Sequence, residues 1–251
     1  MNRNRLIDTI RGLTIISMIG FHLCWDLLYF DMGVEASFLF GPQAYVWQQS
    51  ICWTFIFISG YCFSFGHHHL KRGLMALGSG ILISVVTTFV IPDERDIFGV
   101  LWLIGSSILI MIPIDILCQR YKQVSFYVLG VVSVLLFFIT RNINDGYLGF
   151  EGLNLLRLPA GLYKGYVMTY LGFLAPDFYS SDYFSLIPWF FLFAVGYCAQ
   201  KFMSKVKWPT DISQFGIKPL EFLGRHAMLI YMLHQVILYG LVYSVYSLVH
   251  R

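Results

Sequence analysis

Long apolar runs separated by short polar ones make up most of this chain. Runs able to cross about 30 Å of hydrocarbon fall at 11–30, 43–65, 74–91, 98–118, 124–140, 184–200 and 226–248. None has the alternation of a barrel strand. A backbone in lipid must satisfy its own polar groups, so each run is expected to be a helix. The pattern predicts an all-α fold, a polytopic membrane helix bundle of about seven transmembrane helices, with residues 1–251 forming a single transmembrane domain. One stretch fits less simply. The segment 155–175, LLRLPAGLYKGYVMTYLGFLA, is apolar and aromatic but interrupted by Pro159, Gly161, Lys164 and Gly165. As an eighth span it would move the lysine-rich loop 201–218 to the other side, so it reads as a re-entrant or interfacial segment within a long external region, 141–183.

Composition agrees and narrows the class. At 57% hydrophobic and 12% charged residues the chain is too apolar for an ordinary soluble domain. Arg3 and Arg5 precede a full-length apolar helix and no small-residue cleavage site follows, which argues against a cleavable signal peptide. Charge sets the orientation. With the N-terminus cytoplasmic, that side receives Arg3, Arg5, Lys71, Arg72, Arg120, Lys122, Lys201, Lys205, Lys207 and Lys218. The other side receives Arg95, Arg141, Arg157, Lys164 and Arg251 with most of the acids, including Asp93. The positive-inside rule then places the N-terminus in and the C-terminus out. The five cysteines sit in apolar segments without metal-ligand spacing, and no basic, aromatic-interleaved tract points to nucleic acid. His67, His68 and His69 point in different directions on any regular helix and read as a solvated patch beside Lys71 and Arg72.

Candidate chemistry starts in the first helix, where Asp8, Arg11, His22 and Asp26 interrupt an otherwise apolar run. One ionisable group in hydrocarbon costs at least about 2.5–3.5 kcal/mol. Eleven steps of about 100° bring His22 back to within about 20° of Arg11, and Asp8 and Asp26 lie three and four residues beyond, so all four share a stripe. It runs inward from one membrane surface. His22 and Asp26 are spaced so that the carboxylate can accept from one imidazole nitrogen and leave the other as a base. A polar contact that knits helices together is the plainer alternative. Asp8 and Arg11 suit a boundary ion pair, or Arg11 suits a cofactor phosphate. In the last helix Glu221, Arg225 and His226 sit at the boundary, with Tyr231, His234 and Gln235 on one face two turns deeper. In SSDYFSLIPWF, Ser181 or Asp182 can cap the sixth helix, Pro188 can kink it, and Trp189 can stack on a sugar or anchor the interface.

Five segments carry a resemblance: RLIDTIRGLTIISMIGFHLCWDL at 5–27, TFIFISGYCFS at 54–64, IFGVLWLIG at 97–105, LGFLAPDFYSSDYFSLIPW at 171–189 and FLGRHAMLIYMLHQ at 222–235. In this order they resemble the catalytic domain of the heparan-alpha-glucosaminide N-acetyltransferase family and its bacterial relatives, within the wider transmembrane acyltransferases. The resemblance implies an enzyme that takes acetyl from cytosolic acetyl-CoA to a carbohydrate or glycoconjugate acceptor on the far side, through a histidine inside the membrane. It carries over Arg11 and His22, and with the stripe and the last helix the expected site is catalytic His22 with Asp26, cofactor contacts from Arg11 and Arg225, and support from Asp8, Tyr231, His234, Gln235, Asp182 and Trp189. No metal is called for. The setting would be a lipid bilayer, the bacterial cytoplasmic membrane, with homo-oligomerisation left open. Ser185, Ala227 and Val236 depart from the family's pattern and bear on local helix geometry. The rival reading is a proton-coupled transporter using His22 and Asp26 as a relay, although no internal duplication supports it. A non-catalytic scaffold would leave the inward-facing charges unexplained.

Overall fold

A computed structural model describes residues 4–120, 125–206 and 213–250. Arg3, Lys122, Lys207 and Arg251, which enter the charge bias, lie outside the described residues, as does the side chain of Asp93. The helices are α1 (Arg5–Tyr29), α2 (Ala36–Leu39), α3 (Pro42–Tyr61), α4 (His69–Val90), α5 (Val100–Arg120), α6 (Phe126–Ile139), α7 (Gly165–Leu171), α8 (Leu186–Val206), α9 (Lys218–Arg225) and α10 (Ala227–Val249). Local chemistry sets several of their starts. Asn4 caps α1 by accepting from the Ile7 N–H at 3.2 Å, and Ser125 caps α6 through the Tyr127 N–H at 3.2 Å.

Among the described residues five helices, α1, α4, α5, α8 and α10, are long and apolar enough to cross a membrane. The chain is thus a helical, polytopic membrane protein. Two further expected spans coincide with α3, whose Gln43, Gln48 and Gln49 make it more polar, and with α6, which has only 14 residues. The region 155–175 holds no spanning helix: it contains the end of a strand, a short turn of 3-10 helix and α7. The helical reading missed a hairpin, in which β1 (Tyr147–Phe150) pairs antiparallel with β2 (Leu153–Arg157). Leu148 pairs with Leu156 and Gly149 with Asn154, so Leu155 bulges out of the ladder.

The chain resolves into two compact units, Met1–Phe55 with Lys207–Arg251, and Ile56–Val206. In the first, α1 packs along α9 and α10. Gly12 and Gly224 make the α1–α9 approach possible, because a Cβ on Gly12 would lie 2.0 Å from the Leu220 carbonyl oxygen and one on Gly224 1.9 Å from that of Asp8. Phe21, Leu39 and Ala44 form a buried cluster here, flanked by Trp25 and Trp47. In the second unit, α4 pairs with α5 and α6 with α8.

The start of α8 departs from expectation. Ile187 is extended (φ −97°, ψ 129°), as the residue before a proline tends to be, so regular helix begins only at Pro188. Ser181 and Asp182 therefore do not cap it. Ser181 Oγ instead donates to the Glu94 carbonyl at 3.1 Å.

Candidate functional site

The boundary end of the first unit is an ion-pair network. Glu221 is buried on α9, and Arg5 donates to its Oε1 through Nη2 at 2.8 Å and Nε at 3.0 Å, while Arg225 Nη2 reaches Oε2 at 3.1 Å. These cations hold the Glu221 carboxyl below its ordinary range. Arg225, expected to meet a cofactor, is thus already ion-paired, though its side chain stays 43% exposed. One turn further along α1, Arg11 lies 3.7 Å from the buried Asp8 and donates to the Gly224 carbonyl at 3.4 Å. The expected boundary pair is present, and Arg11 keeps part of its guanidinium accessible.

Deeper on the stripe the geometry corrects the sequence reading. Asp26, buried on α1, accepts at Oδ1 from Gln235 Nε2 of α10 at 3.0 Å. His22 makes ring contacts with Phe21 and His234 and has no hydrogen bond to Asp26. The i,i+4 spacing permits the His22–Asp26 bond, but the amide from α10 takes up the carboxylate. The imidazole meets His234 edge-on instead, with ring centroids 4.8 Å apart. His234 is buried, and its Nδ1 lies 2.6 Å from the Tyr231 carbonyl oxygen. A carbonyl only accepts, so Nδ1 carries a hydrogen. Tyr231 is buried as well, its ring stacked near Phe55 at 6.4 Å. His22, Asp26, His234, Tyr231 and Gln235 are therefore brought together by α1 and α10.

The expected residues of the second unit divide. Trp189, read as a sugar platform or interface anchor, is buried against Phe137 and Phe184, and the Arg141 guanidinium covers its ring at 4.8 Å. It is a core residue because α8 turns it inward. Asp182 neighbours the carboxyl of Asp96. The Asp96 backbone N–H donates to Thr87 Oγ1 at 3.0 Å, and the next N–H, from Ile97, donates to Ser180 Oγ at 2.9 Å. Burial, and secondarily the Asp182 charge, push the Asp96 carboxyl from 3.8 up to about 8. The fold therefore holds a proton that the unfolded chain releases. That contribution is complete below about pH 4 and is lost as pH rises through 8. Asp96→Asn should flatten this loss, worth at most about 1.4 kcal/mol per pH unit for one proton. Melting curves of both forms between pH 5 and 9 check it. A wild-type profile that the substitution leaves unchanged would refute the assignment.

Sequence reading also missed Asp115. Its Oδ1 accepts from Tyr197 Oη at 2.5 Å and faces Lys201 Nζ at 3.3 Å, and Gln119 donates to Oδ2 at 2.6 Å. The signal was a carboxylate inside IMIPIDILCQ, where an ionisable group needs partners. Lys201 is thus tethered. In the histidine run, His67 and His68 are exposed, but His69 is half-buried and stacks on Phe63 at 4.1 Å. Among the described residues no cluster of three or more His, Cys, Asp or Glu could hold a metal ion.

Apolar helices long enough to span, with ionisable side chains carried inward on α1 and α10, define a membrane protein with buried polar groups in its first unit. The family model "Heparan-alpha-glucosaminide N-acetyltransferase, catalytic" matches residues 3–236. The chain belongs to that family, one of membrane acetyltransferases. No curated protein and no solved structure matches it.

Proposed function

We propose that this protein transfers an acetyl or other short acyl group from cytoplasmic acetyl-CoA to a sugar amine or hydroxyl on the opposite membrane face, with His22 at the chemical centre. The observation that carries the reading is the meeting of His22 with His234 beside the Asp26–Gln235 hydrogen bond. A neutral imidazole takes the proton of the acceptor N–H or O–H as its heteroatom attacks the thioester carbonyl carbon. The C–S bond then breaks, and CoA leaves with the electron pair and recovers a proton. His234, with its own proton fixed on Nδ1, offers the His22 ring a basic neighbour. The buried amide–carboxylate pair holds the two helices in register.

The reading places seven spans, an inside N-terminus and the basic loops 66–73, 119–123 and 201–221 on the acetyl-CoA side. Inverted vesicles given labelled acetyl-CoA outside should pass label to a sugar amine enclosed within, and right-side-out vesicles should not. Equal transfer from both would overturn the orientation. Proton flux without transfer in either would favour the transporter.

Arg11 is the residue assigned to the acyl donor. Arg11→Lys keeps the charge but loses the planar fork that matches two anionic oxygens. The apparent KM for acetyl-CoA should rise roughly tenfold with kcat little changed, the scale of one charge-assisted hydrogen bond. An unchanged KM would confine Arg11 to its pair with Asp8.

A further inference from the structure

The second unit holds a cleft of about 570 Å³, within the size range of ligand sites, whose lining includes Asp145, Tyr147, Arg157, Tyr163, Lys164 and Asp177. The two cations and two acids are all exposed. None of the four side chains is ion-paired or hydrogen-bonded among the described residues. Four charges of both signs share one cleft without neutralising one another. Tyr147 lies opposite Arg157 in the hairpin register, and Tyr163 Oη is fastened to the Ile143 carbonyl at 2.8 Å, which fixes one wall.

The surroundings say where this cleft lies. β1 is bridged through Gly149 to Thr140, the residue that ends α6, and Phe150 packs on Phe138 of α6 at 4.9 Å. Arg141 covers Trp189 in the first turn of α8 at 4.8 Å. The hairpin therefore sits at the level where two apolar helices end. Its strand β2 exposes Leu153, Leu155 and Leu156, the last two together because of the bulge, and α7 exposes Tyr166 and Val167. Large apolar side chains beside cations, at a helix end, match the acyl and phosphate layers of a leaflet.

We propose that this cleft binds the headgroup of a phospholipid carrying a primary amine, phosphatidylethanolamine. The phosphate meets Arg157 and Lys164, and the ammonium meets Asp145 and Asp177. The exposed leucines lie against the acyl chains. A purely anionic headgroup leaves the two acids facing its charge, and a trimethylated one gives them no N–H to accept. Binding needs neither acetyl-CoA nor His22, so its failure and the failure of the transfer reading are separate results.

Native mass spectrometry of the full-length protein in detergent, titrated with phosphatidylethanolamine, phosphatidylglycerol and phosphatidylcholine of identical chains, tests the proposal. Phosphatidylethanolamine should bind roughly tenfold more tightly than the other two. Arg157→Gln with Lys164→Gln should weaken all three lipids, since each carries the phosphate, and Asp145→Asn with Asp177→Asn should remove the preference and bring phosphatidylglycerol level with phosphatidylethanolamine. All four side chains are exposed, so melting temperatures should not move. Equal binding of the three lipids, affinities that the first pair of substitutions leaves unchanged, or a preference that the second pair leaves unchanged overturns the proposal. Displacement of the lipid by free glucosamine but not by glycerol would reassign the cleft to sugar.

Discussion

His22→Ala is expected to abolish acyl transfer while the protein remains folded in the membrane. A positioned base is worth about 10²–10⁴ in rate, and among the described residues no other side chain on α1 carries an imidazole to this depth. The companion variants distinguish chemistry from architecture. Asp26→Asn keeps an oxygen that can accept from Gln235, so it should lower the rate less than His22→Ala does. His234→Ala removes the neighbouring ring and should leave measurable activity with an altered pH profile. Transfer of labelled acetyl by purified protein is the measurement. An active His22→Ala beside a dead His234→Ala would move the centre to α10.

Gly224→Ala should be strongly destabilising. The new Cβ would lie 1.9 Å from the Asp8 carbonyl oxygen and 3.1 Å from the Gly12 nitrogen. Both are backbone atoms that cannot rotate aside. Overpacking typically costs about 1–3 kcal/mol when side chains can yield, and here α9 itself must move. With α9 displaced, the Arg5–Glu221 bonds lengthen and the Arg11 contact with the Gly224 carbonyl breaks. Gly78→Ala is the control, because a Cβ there meets nothing within 4 Å and alanine favours a helix. Thermal melting should separate the two variants clearly. Equal stability would mean that the two helices are not in backbone contact.

The stripe on α1 was legible because ionisable residues in an apolar helix have few physical justifications, and their phase can be counted. Their partners were not legible. Spacing offered His22 to Asp26, yet the carboxylate is taken by Gln235, more than two hundred residues away, and only packing of α1 on α10 decides that competition. Glu221 looked like a boundary charge and is the anchor for Arg5. Asp96 is one of several acids between two apolar runs and nothing in the sequence sets it apart, whereas the fold brings Asp182 beside it and ties the Ile97 N–H to Ser180. Trp189 had the amphipathic character of an interface residue but faces Phe137 and Arg141. The hairpin escaped because a short apolar strand inside an apolar region has no period to distinguish it from helix.

The shortness of α6 bears on the membrane itself. At about 1.5 Å per residue its 14 residues reach about 21 Å, some 9 Å less than a hydrocarbon core of about 30 Å. As a crossing helix it is mismatched, and the deficit must be met by thinning the bilayer or by other apolar groups at its end. The hairpin bridged to Thr140 supplies such groups, since the leucines of β2 can continue the apolar band where the helix stops. On the proposed reading in which α6 crosses, protein rather than a thinned bilayer then makes up the thickness beside it, so the lipid chain length that suits this protein is set by a hairpin and not by a helix.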